Sequence, residues 1–103
     1  MDEDRQRSIQ EMQILEQNLQ NLILQKQAFQ MELSETQTAK REIEKSGEEI
    51  FKIVGQVMIK AEKEKVKDEL SGKEKLLELR IKSIEKQEKI FEQKLQDFQK
   101  ENS

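Results

Sequence analysis

The chain has 103 residues, of which 33% are hydrophobic and 40% are charged, and its 22 acidic and 19 basic side chains give a formal charge of −3. This length allows one domain at most, and so little apolar material excludes a compact two-layer core of ordinary composition. Long helices that bury only a narrow seam suit the composition, and the absence of proline permits them. Disorder is the alternative for so charged a chain, and the regular spacing of the apolar residues argues against it.

Missing residue types exclude most kinds of chemical site. Histidine and cysteine are both absent, so the chain has no Cys–His pair, no disulfide and none of the usual zinc ligand sets. It also lacks a glycine-rich phosphate loop. Carboxylates are abundant, but on solvated helix faces they lack the burial that tunes a catalytic group. We therefore expect no enzyme activity, no metal and no cofactor.

The distribution of charge and hydrophobicity also excludes two classes of partner. Acidic and basic residues are interleaved without a basic stripe, which argues against nucleic-acid binding. No apolar run approaches the roughly 20 residues of a membrane span. The first residues, Met1 to Asp4, are acidic and polar, which is unlike a signal peptide. We expect a cytoplasmic protein without membrane or nucleic-acid partners.

The first predicted element is a long helix from about Asp4 to about Lys45. Its apolar residues alternate in steps of three and four, which is typical of a coiled coil. Lys26 and Lys40 occupy two positions of a seam otherwise formed by Met12, Leu15, Leu19, Leu22, Phe29, Leu33, Thr36 and Ile43. Gly47 is a helix stop signal because it can adopt the left-handed conformation of a C-cap. Five apolar residues lie off the seam and either widen it or form a partner surface: Ile9, Ile14, Ile23, Leu24 and Met31.

A β-hairpin is predicted over residues 50–60, where β-branched residues are concentrated. Gly55-Gln56 suits a two-residue type II′ turn, which places Val54 opposite Val57. Both faces of this hairpin are then largely apolar, and an isolated two-stranded hairpin is marginal in water. We therefore expect hairpins from several subunits to join into a common sheet or barrel. The residues predicted to form this assembly are Ile50, Phe51, Ile53, Val54, Gly55, Val57, Met58 and Ile59.

A second helix is predicted from about residue 65 to about residue 100, after a short polar exit over residues 61–64. Glu74 and Glu88 interrupt a heptad seam formed by Leu70, Leu77, Ile81, Ile84, Phe91, Leu95 and Phe98. When the two helices fold back antiparallel, Lys26 lies one layer from Glu88, and an ion pair there can set the register. The predicted fold is mainly α: one domain over residues 1–103, with a long antiparallel two-helix coiled coil and one β-hairpin at the connecting end.

This layout resembles the prefoldin family, and its β-type subunits in particular. Two segments carry the resemblance beyond generic heptads: Ile50-Phe51-Lys52-Ile53-Val54-Gly55-Gln56-Val57-Met58-Ile59-Lys60, and Leu77-Glu78-Leu79-Arg80-Ile81-Lys82-Ser83-Ile84-Glu85-Lys86-Gln87-Glu88. The single hairpin also matches the β type, since the α type has two. The family often has proline or glycine after the turn glycine, whereas this chain has Gln56.

The resemblance implies a subunit of a hetero-hexameric co-chaperone with two α-type and four β-type subunits. In that family the hairpins form a double barrel, and coiled-coil ends hold unfolded proteins without ATP before delivery to a group II chaperonin. The expected client-binding residues are Ile9, Met12, Ile14, Leu15, Phe91, Leu95 and Phe98. Those that belong to the seam have an alternative role, which is only to close the coiled coil. The rival function is a structural or tethering coiled-coil protein that binds no client, and it explains the hairpin poorly.

Overall fold

The computed structural model describes residues 2–101 and contains four elements in chain order. Helix α1 spans Asp2–Lys45, strand β1 spans Glu49–Val54, strand β2 spans Val57–Glu62, and helix α2 spans Lys63–Glu101. The two strands pair antiparallel into a two-stranded sheet between the helices. The predicted fold of two long helices with one intervening hairpin is therefore confirmed. Formation of a barrel by several hairpins remains a prediction.

The described residues group into two compact units. The first contains the described parts of Met1–Phe29 and Arg80–Ser103, and we call it the terminal unit. The second contains Gln30–Leu79 with both strands, and we call it the hairpin unit. In each unit, segments of α1 and α2 run antiparallel and contact each other through ion pairs.

The heptad seam is the core of both units. Every predicted seam position is buried or half-buried, including Lys26 and Lys40. Leu77 is the most deeply buried large side chain, with 2% of its surface exposed, and Ile81 and Ile84 are also buried. Because a two-helix seam is narrow, most other side chains on both helices remain in contact with solvent.

The end of α1 is capped by Ser46 and not by Gly47. The Ser46 backbone N–H and hydroxyl both donate to the carbonyl oxygen of Ile43, over 3.1 Å and 2.8 Å. Lys63 Nζ donates to the carbonyl oxygen of Ser46 over 2.8 Å, which ties the start of α2 to this end. Gly47 does not have a positive φ. The predicted helix end is correct, but its predicted left-handed glycine cap is wrong. Ser46 and Lys63 donate hydrogen bonds to the carbonyl oxygens at this end, so no left-handed glycine is needed.

The hairpin turn has the predicted form. Gly55 has a φ of +63°, and Gln56 has no positive φ, which is the pattern of a type II′ turn. Val54 pairs with Val57, and Ile53 pairs with Met58, as predicted. The expected polar exit over residues 61–64 is wrong, because β2 continues to Glu62 opposite Glu49 and α2 begins at Lys63.

Candidate functional site

The hairpin carries a large exposed apolar surface. Ile50 is buried, but six other apolar hairpin residues have between 49% and 71% of their surface exposed. We call these six the hairpin surface: Phe51, Ile53, Val54, Val57, Met58 and Ile59. Side chains alternate between the faces of a strand, so this surface occupies both faces of the sheet. Contiguous exposed apolar residues of this kind mark interaction sites.

The backbone edges of the hairpin are also available for pairing. The sheet has two strands, so within residues 2–101 the outer edge of each strand has no strand partner. Unpaired N–H and C=O groups along an edge are a template for another strand. The hairpin therefore has both apolar faces and open edges, and one added strand on each side would satisfy the backbone groups.

A groove of about 400 Å³ lies at the base of the hairpin, inside the hairpin unit. Its lining combines hairpin and helix residues: Glu42, Ile43, Ser46, Glu49, Ile50, Phe51, Met58 and Val66. Ile50 is buried, whereas Phe51 and Met58 remain mainly exposed. The helices thus cover only the first residues of the hairpin, and the remainder stays open.

Ion pairs join the two helices within the hairpin unit. Lys67 Nζ lies 2.8 Å from Glu44 Oε1, and Lys40 Nζ lies 3.3 Å from Glu74 Oε1. The hydrogen bond from Lys67, together with its charge, lowers the pKa of Glu44 below its ordinary value of 4.5. The same hydrogen bond raises the pKa of Lys67 above 10.5. Both shifts favour the charged pair, so it persists across the neutral range.

The terminal unit presents a second set of exposed apolar side chains. Ile9 is 41% exposed, Ile14 is 58% exposed, Leu24 is 61% exposed and Ile90 is 53% exposed. Ile9 and Ile14 were predicted client-binding residues, and they lie off the seam as expected. The other five predicted client-binding residues are half-buried in the seam: Met12, Leu15, Phe91, Leu95 and Phe98.

An open groove of about 500 Å³ joins the predicted residues of the two helices in the terminal unit. Its apolar lining consists of Ile14, Leu15 and Phe98. Its polar lining consists of Glu11, Lys94, Asp97 and Glu101. The groove brings three of the seven predicted client-binding residues together, one of them exposed and two from the seam. It can take an apolar side chain without opening the two helices.

Sequence reasoning missed three exposed apolar residues of α2. Ile90 lies in the terminal unit, and Leu76 and Leu79 lie in the hairpin unit. Each occupies a position outside the a/d seam: Ile90 and Leu76 precede the seam residues Phe91 and Leu77, and Leu79 lies midway between Leu77 and Ile81. These residues carry the same signal as Ile9 and Ile14 on α1, which is an apolar side chain outside the a/d seam.

Polar and aromatic contacts also join the two helices of the terminal unit. Lys26 Nζ lies 3.1 Å from Glu88 Oε1 and 3.9 Å from Glu85 Oε2. The predicted proximity of Lys26 and Glu88 is therefore confirmed. The Arg80 guanidinium lies 5.6 Å from the centre of the Phe29 ring, within the range of a cation–π contact.

Among residues 2–101, no group of three or more carboxylates is arranged to hold a metal ion. Neither helix, over the same residues, contains a stretch long and apolar enough to cross a membrane. The notable features are thus two apolar surfaces, one on the hairpin and one in the terminal unit.

Comparison with known proteins identifies the family. The sequence profile of the prefoldin subunit family matches residues 6–103. Prefoldin subunit beta of Thermococcus onnurineus is 42% identical over 85 residues, which are 81% of this chain and 73% of that protein. Prefoldin subunit beta of Sulfurisphaera tokodaii is 34% identical over 91 residues, which are 86% of this chain and 73% of that protein.

A solved structure gives the same result. The crystal structure of the prefoldin beta subunit from Thermococcus strain KS-1 superposes with a TM-score of 0.85 and 34% sequence identity, and the match covers 93% of this chain and 86% of that one. Family profile, sequence relatives and fold agree with the layout of helix, hairpin and helix. The chain belongs to the prefoldin family, a family of co-chaperones whose subunits form hetero-oligomers with one another.

Proposed function

We propose that this chain is a β-type subunit of a hetero-hexameric holdase that acts in the cytoplasm. In this proposal two α-type and four β-type subunits assemble through their hairpins, and the terminal units hold unfolded proteins without ATP. The complex then passes its clients to a group II chaperonin. The observation that carries the proposal is the presence of four exposed apolar side chains in the terminal unit of a prefoldin-family chain: Ile9, Ile14, Leu24 and Ile90.

Assembly through the hairpin is supported by its open edges and its exposed apolar surface. Burial of a large aliphatic side chain contributes about 1.5–3 kcal/mol, and the hairpin surface has six apolar residues that α1 and α2 leave mainly exposed. Strands from neighbouring subunits would cover these residues and pair the outer backbone groups at the same time. A barrel removes the edges altogether, which is why we propose a barrel and not an open ribbon.

Client holding is supported by the kind of surface that the terminal unit exposes. An unfolded chain presents apolar side chains in no fixed arrangement, so a binder for many clients needs adaptable apolar contacts. Ile14 is exposed, while Leu15 and Phe98 are half-buried in the same groove. Interleaved charges surround these residues, which keeps the surface hydrated when no client is bound.

A passive holding role also fits the residue types of the chain. No glycine-rich phosphate loop occurs in the sequence, and neither histidine nor cysteine is present. We therefore propose that the subunit hydrolyses no nucleotide and that it acts through binding alone. Delivery to a group II chaperonin rests on the family assignment.

The proposal is tested by the aggregation of a denatured client. A chemically denatured protein is diluted into buffer without ATP, and light scattering is followed with and without this chain assembled with an α-type subunit. We expect scattering to fall as the assembled complex approaches equimolar amounts with the client. The α-type subunit alone, at the same subunit concentration, is the control for protection by the partner.

The opposite outcome would favour the structural alternative. If the complex assembles at the expected mass and leaves aggregation unchanged, the chain is a tethering coiled coil and not a holdase. Addition of a group II chaperonin with ATP tests the later step. We expect the held client to regain its native activity, and a client that stays bound would remove delivery from the proposal.

A further inference from the structure

The groove of the terminal unit has an acidic rim around its apolar lining. Three carboxylates line it, from Glu11, Asp97 and Glu101, against one ammonium from Lys94. All four are exposed side chains. The lining thus carries a net charge of −2, three negative against one positive, which is a large share of the formal charge of −3 for the whole chain.

The rim carboxylates are left largely uncompensated. Within residues 2–101, Glu11, Asp97 and Glu101 take part in no ion pair, and Asp97 accepts one hydrogen bond from Gln93 Nε2 over 3.1 Å. Lys94 Nζ lies 5.9 Å from the centre of the Phe91 ring instead of pairing with a rim carboxylate. A cation seated in the groove would lie within the screening length of about 8–10 Å from these carboxylates.

We propose that this groove selects unfolded segments in which a large apolar residue adjoins a lysine or arginine. The apolar side chain would pack on Ile14, Leu15 and Phe98, while its basic neighbour would lie among the rim carboxylates. A volume of about 500 Å³ is in the range of small-ligand pockets and admits side chains, not a folded domain. This inference rests on the proposed function and adds a client preference to it.

Charge complementarity favours this occupant over other segments of similar hydrophobicity. An acidic neighbour would meet like charges at the rim, and a neutral polar neighbour would gain nothing from them. Exposed ion pairs each contribute modestly, so two or three of them change an affinity about fivefold and do not dominate it. The apolar contact supplies most of the affinity for every client, and the rim carboxylates set the differences in affinity between clients.

The test measures three short fluorescent peptides that share one Leu/Phe core and differ in flanking residues: lysine, glutamine or glutamate. Anisotropy gives the Kd of each peptide for the full chain assembled with an α-type subunit. We expect the lysine peptide to bind about fivefold more tightly than the glutamine peptide at low salt, and the glutamate peptide to bind most weakly. At about 1 M salt, where the screening length is near 3 Å, the three Kd values should converge.

A rim variant and a matched control locate the effect. In the rim variant, Glu11→Gln, Asp97→Asn and Glu101→Gln, we expect the lysine preference to fall below about twofold while binding of the glutamine peptide is retained. The control carries three neutralisations at exposed acids of the same unit that do not line the groove, Glu3→Gln, Glu16→Gln and Glu92→Gln. The control should keep the fivefold preference, although its net charge equals that of the rim variant.

Several outcomes overturn the inference and leave the proposed function standing. Equal binding of all three peptides would overturn the inference. A lysine preference that is retained in the rim variant would also overturn it. A groove filled by a second copy of the chain would show as a change in mass of the rim variant with an unchanged peptide ratio. If no peptide binds and aggregation is not suppressed, the proposed function itself is wrong.

Discussion

Lys26 Nζ and Glu88 Oε1 lie 3.1 Å apart inside the seam of the terminal unit, at positions that an uninterrupted heptad would give to apolar residues. The Glu88 carboxylate is the more shielded partner, with 13% of its side chain exposed against 25% for Lys26. Its Oε1 atom is buried and receives no hydrogen bond of favourable geometry, so the nearby ammonium is its main compensation. A polar pair in a seam costs stability and can select one register.

Removal of one partner should therefore be worse than removal of both. We expect Lys26→Leu to lower the free energy of unfolding by about 1–3 kcal/mol, because it leaves the buried Glu88 oxygen uncompensated. The double variant Lys26→Leu/Glu88→Leu should be as stable as the original chain or more stable. Chemical denaturation of the original chain, the two single variants and the double variant measures both effects. Additive losses in the double variant would show that the two side chains do not interact.

The deeply buried seam can be tested by two leucines on one helix. Leu77 is 2% exposed and Leu79 is 65% exposed, both within the hairpin unit. Leu77→Ala should cost about 2–4 kcal/mol, from lost burial and the cavity left behind. Leu79→Ala is the matched control and should change stability by less than about 0.5 kcal/mol. Equal losses in urea unfolding would mean that the seam does not run through Leu77.

The pair of Glu44 and Lys67 predicts a pH dependence. The pKa of Glu44 lies below its ordinary value of 4.5, so its contribution to stability is complete above pH 4.5 and is lost as the pH falls through the lowered pKa. The pKa of Lys67 lies above 10.5, so its contribution is complete below pH 10.5 and is lost as the pH rises through the raised pKa. The window of full stabilisation lies between these two values.

Glu44→Gln should accordingly lower the thermal midpoint slightly near neutral pH. The difference from the original chain should vanish in acid, below the lowered pKa of Glu44, because the carboxyl is then protonated in both states. Glu44 is 61% exposed and Lys67 is 30% exposed, so solvent screens the pair, and the effect is small and should weaken with added salt. Glu35→Gln, at an exposed position of the same helix, is the control. A midpoint difference that is constant with pH would contradict the assignment.

Assembly through the hairpin predicts the effect of a charged substitution there. Val54 and Val57 are paired across the strands and are more than half exposed. The change Val54→Asp/Val57→Asp should cost the folded subunit little but should oppose burial in an interface, since a buried unpaired charge is expensive. We expect small species by light scattering, with the helical circular dichroism retained.

The matched control places the same two charges elsewhere in the hairpin unit. Gln30→Asp/Ser34→Asp alters exposed positions of α1 and should leave the mass of the complex unchanged. A hexameric mass in the Val54→Asp/Val57→Asp variant would show that the hairpin surface is not the assembly interface.

The seam could be predicted from the sequence because it depends only on the spacing of apolar residues along the helix, and a single sequence shows that spacing completely. Spacing alone places Lys26 and Lys40 in the seam although both are polar, and both are half-buried there. The hairpin register followed in the same way from Gly55, since a two-residue turn determines which residues face each other.

Two sequence-based predictions are wrong at places where contacts between elements outweigh the local residue preferences. Gly47 carries the usual sign of a helix cap, but Ser46 and Lys63 supply the hydrogen bonds at that end. Glu62 faces Glu49 across the strands, a pair of like charges that propensity alone would not place in a sheet. Ile90 is an off-seam apolar residue like Ile14, but spacing alone does not show whether such a residue widens the seam or faces solvent, and Ile90 is 53% exposed.

The central claim is that exposed apolar side chains of the terminal unit hold the client, and serine substitutions test it directly. One variant carries Ile9→Ser, Ile14→Ser and Ile90→Ser in the terminal unit. The control carries Met31→Ser, Leu76→Ser and Leu79→Ser, which are comparably exposed residues of the hairpin unit. Neither set belongs to the predicted seam, so both variants should keep their helical content.

The decisive measurement is the amount of denatured client held per complex, for variants whose assembled mass equals that of the original complex. Each isoleucine side chain that is buried against a client contributes about 1 kcal/mol or more to the free energy of binding, and the serine substitution removes this contribution. We expect the terminal-unit variant to hold less than about one tenth of the original amount at limiting concentration, and the control to hold nearly all of it. Equal capture by both variants would contradict the account and would move the client site away from the terminal unit.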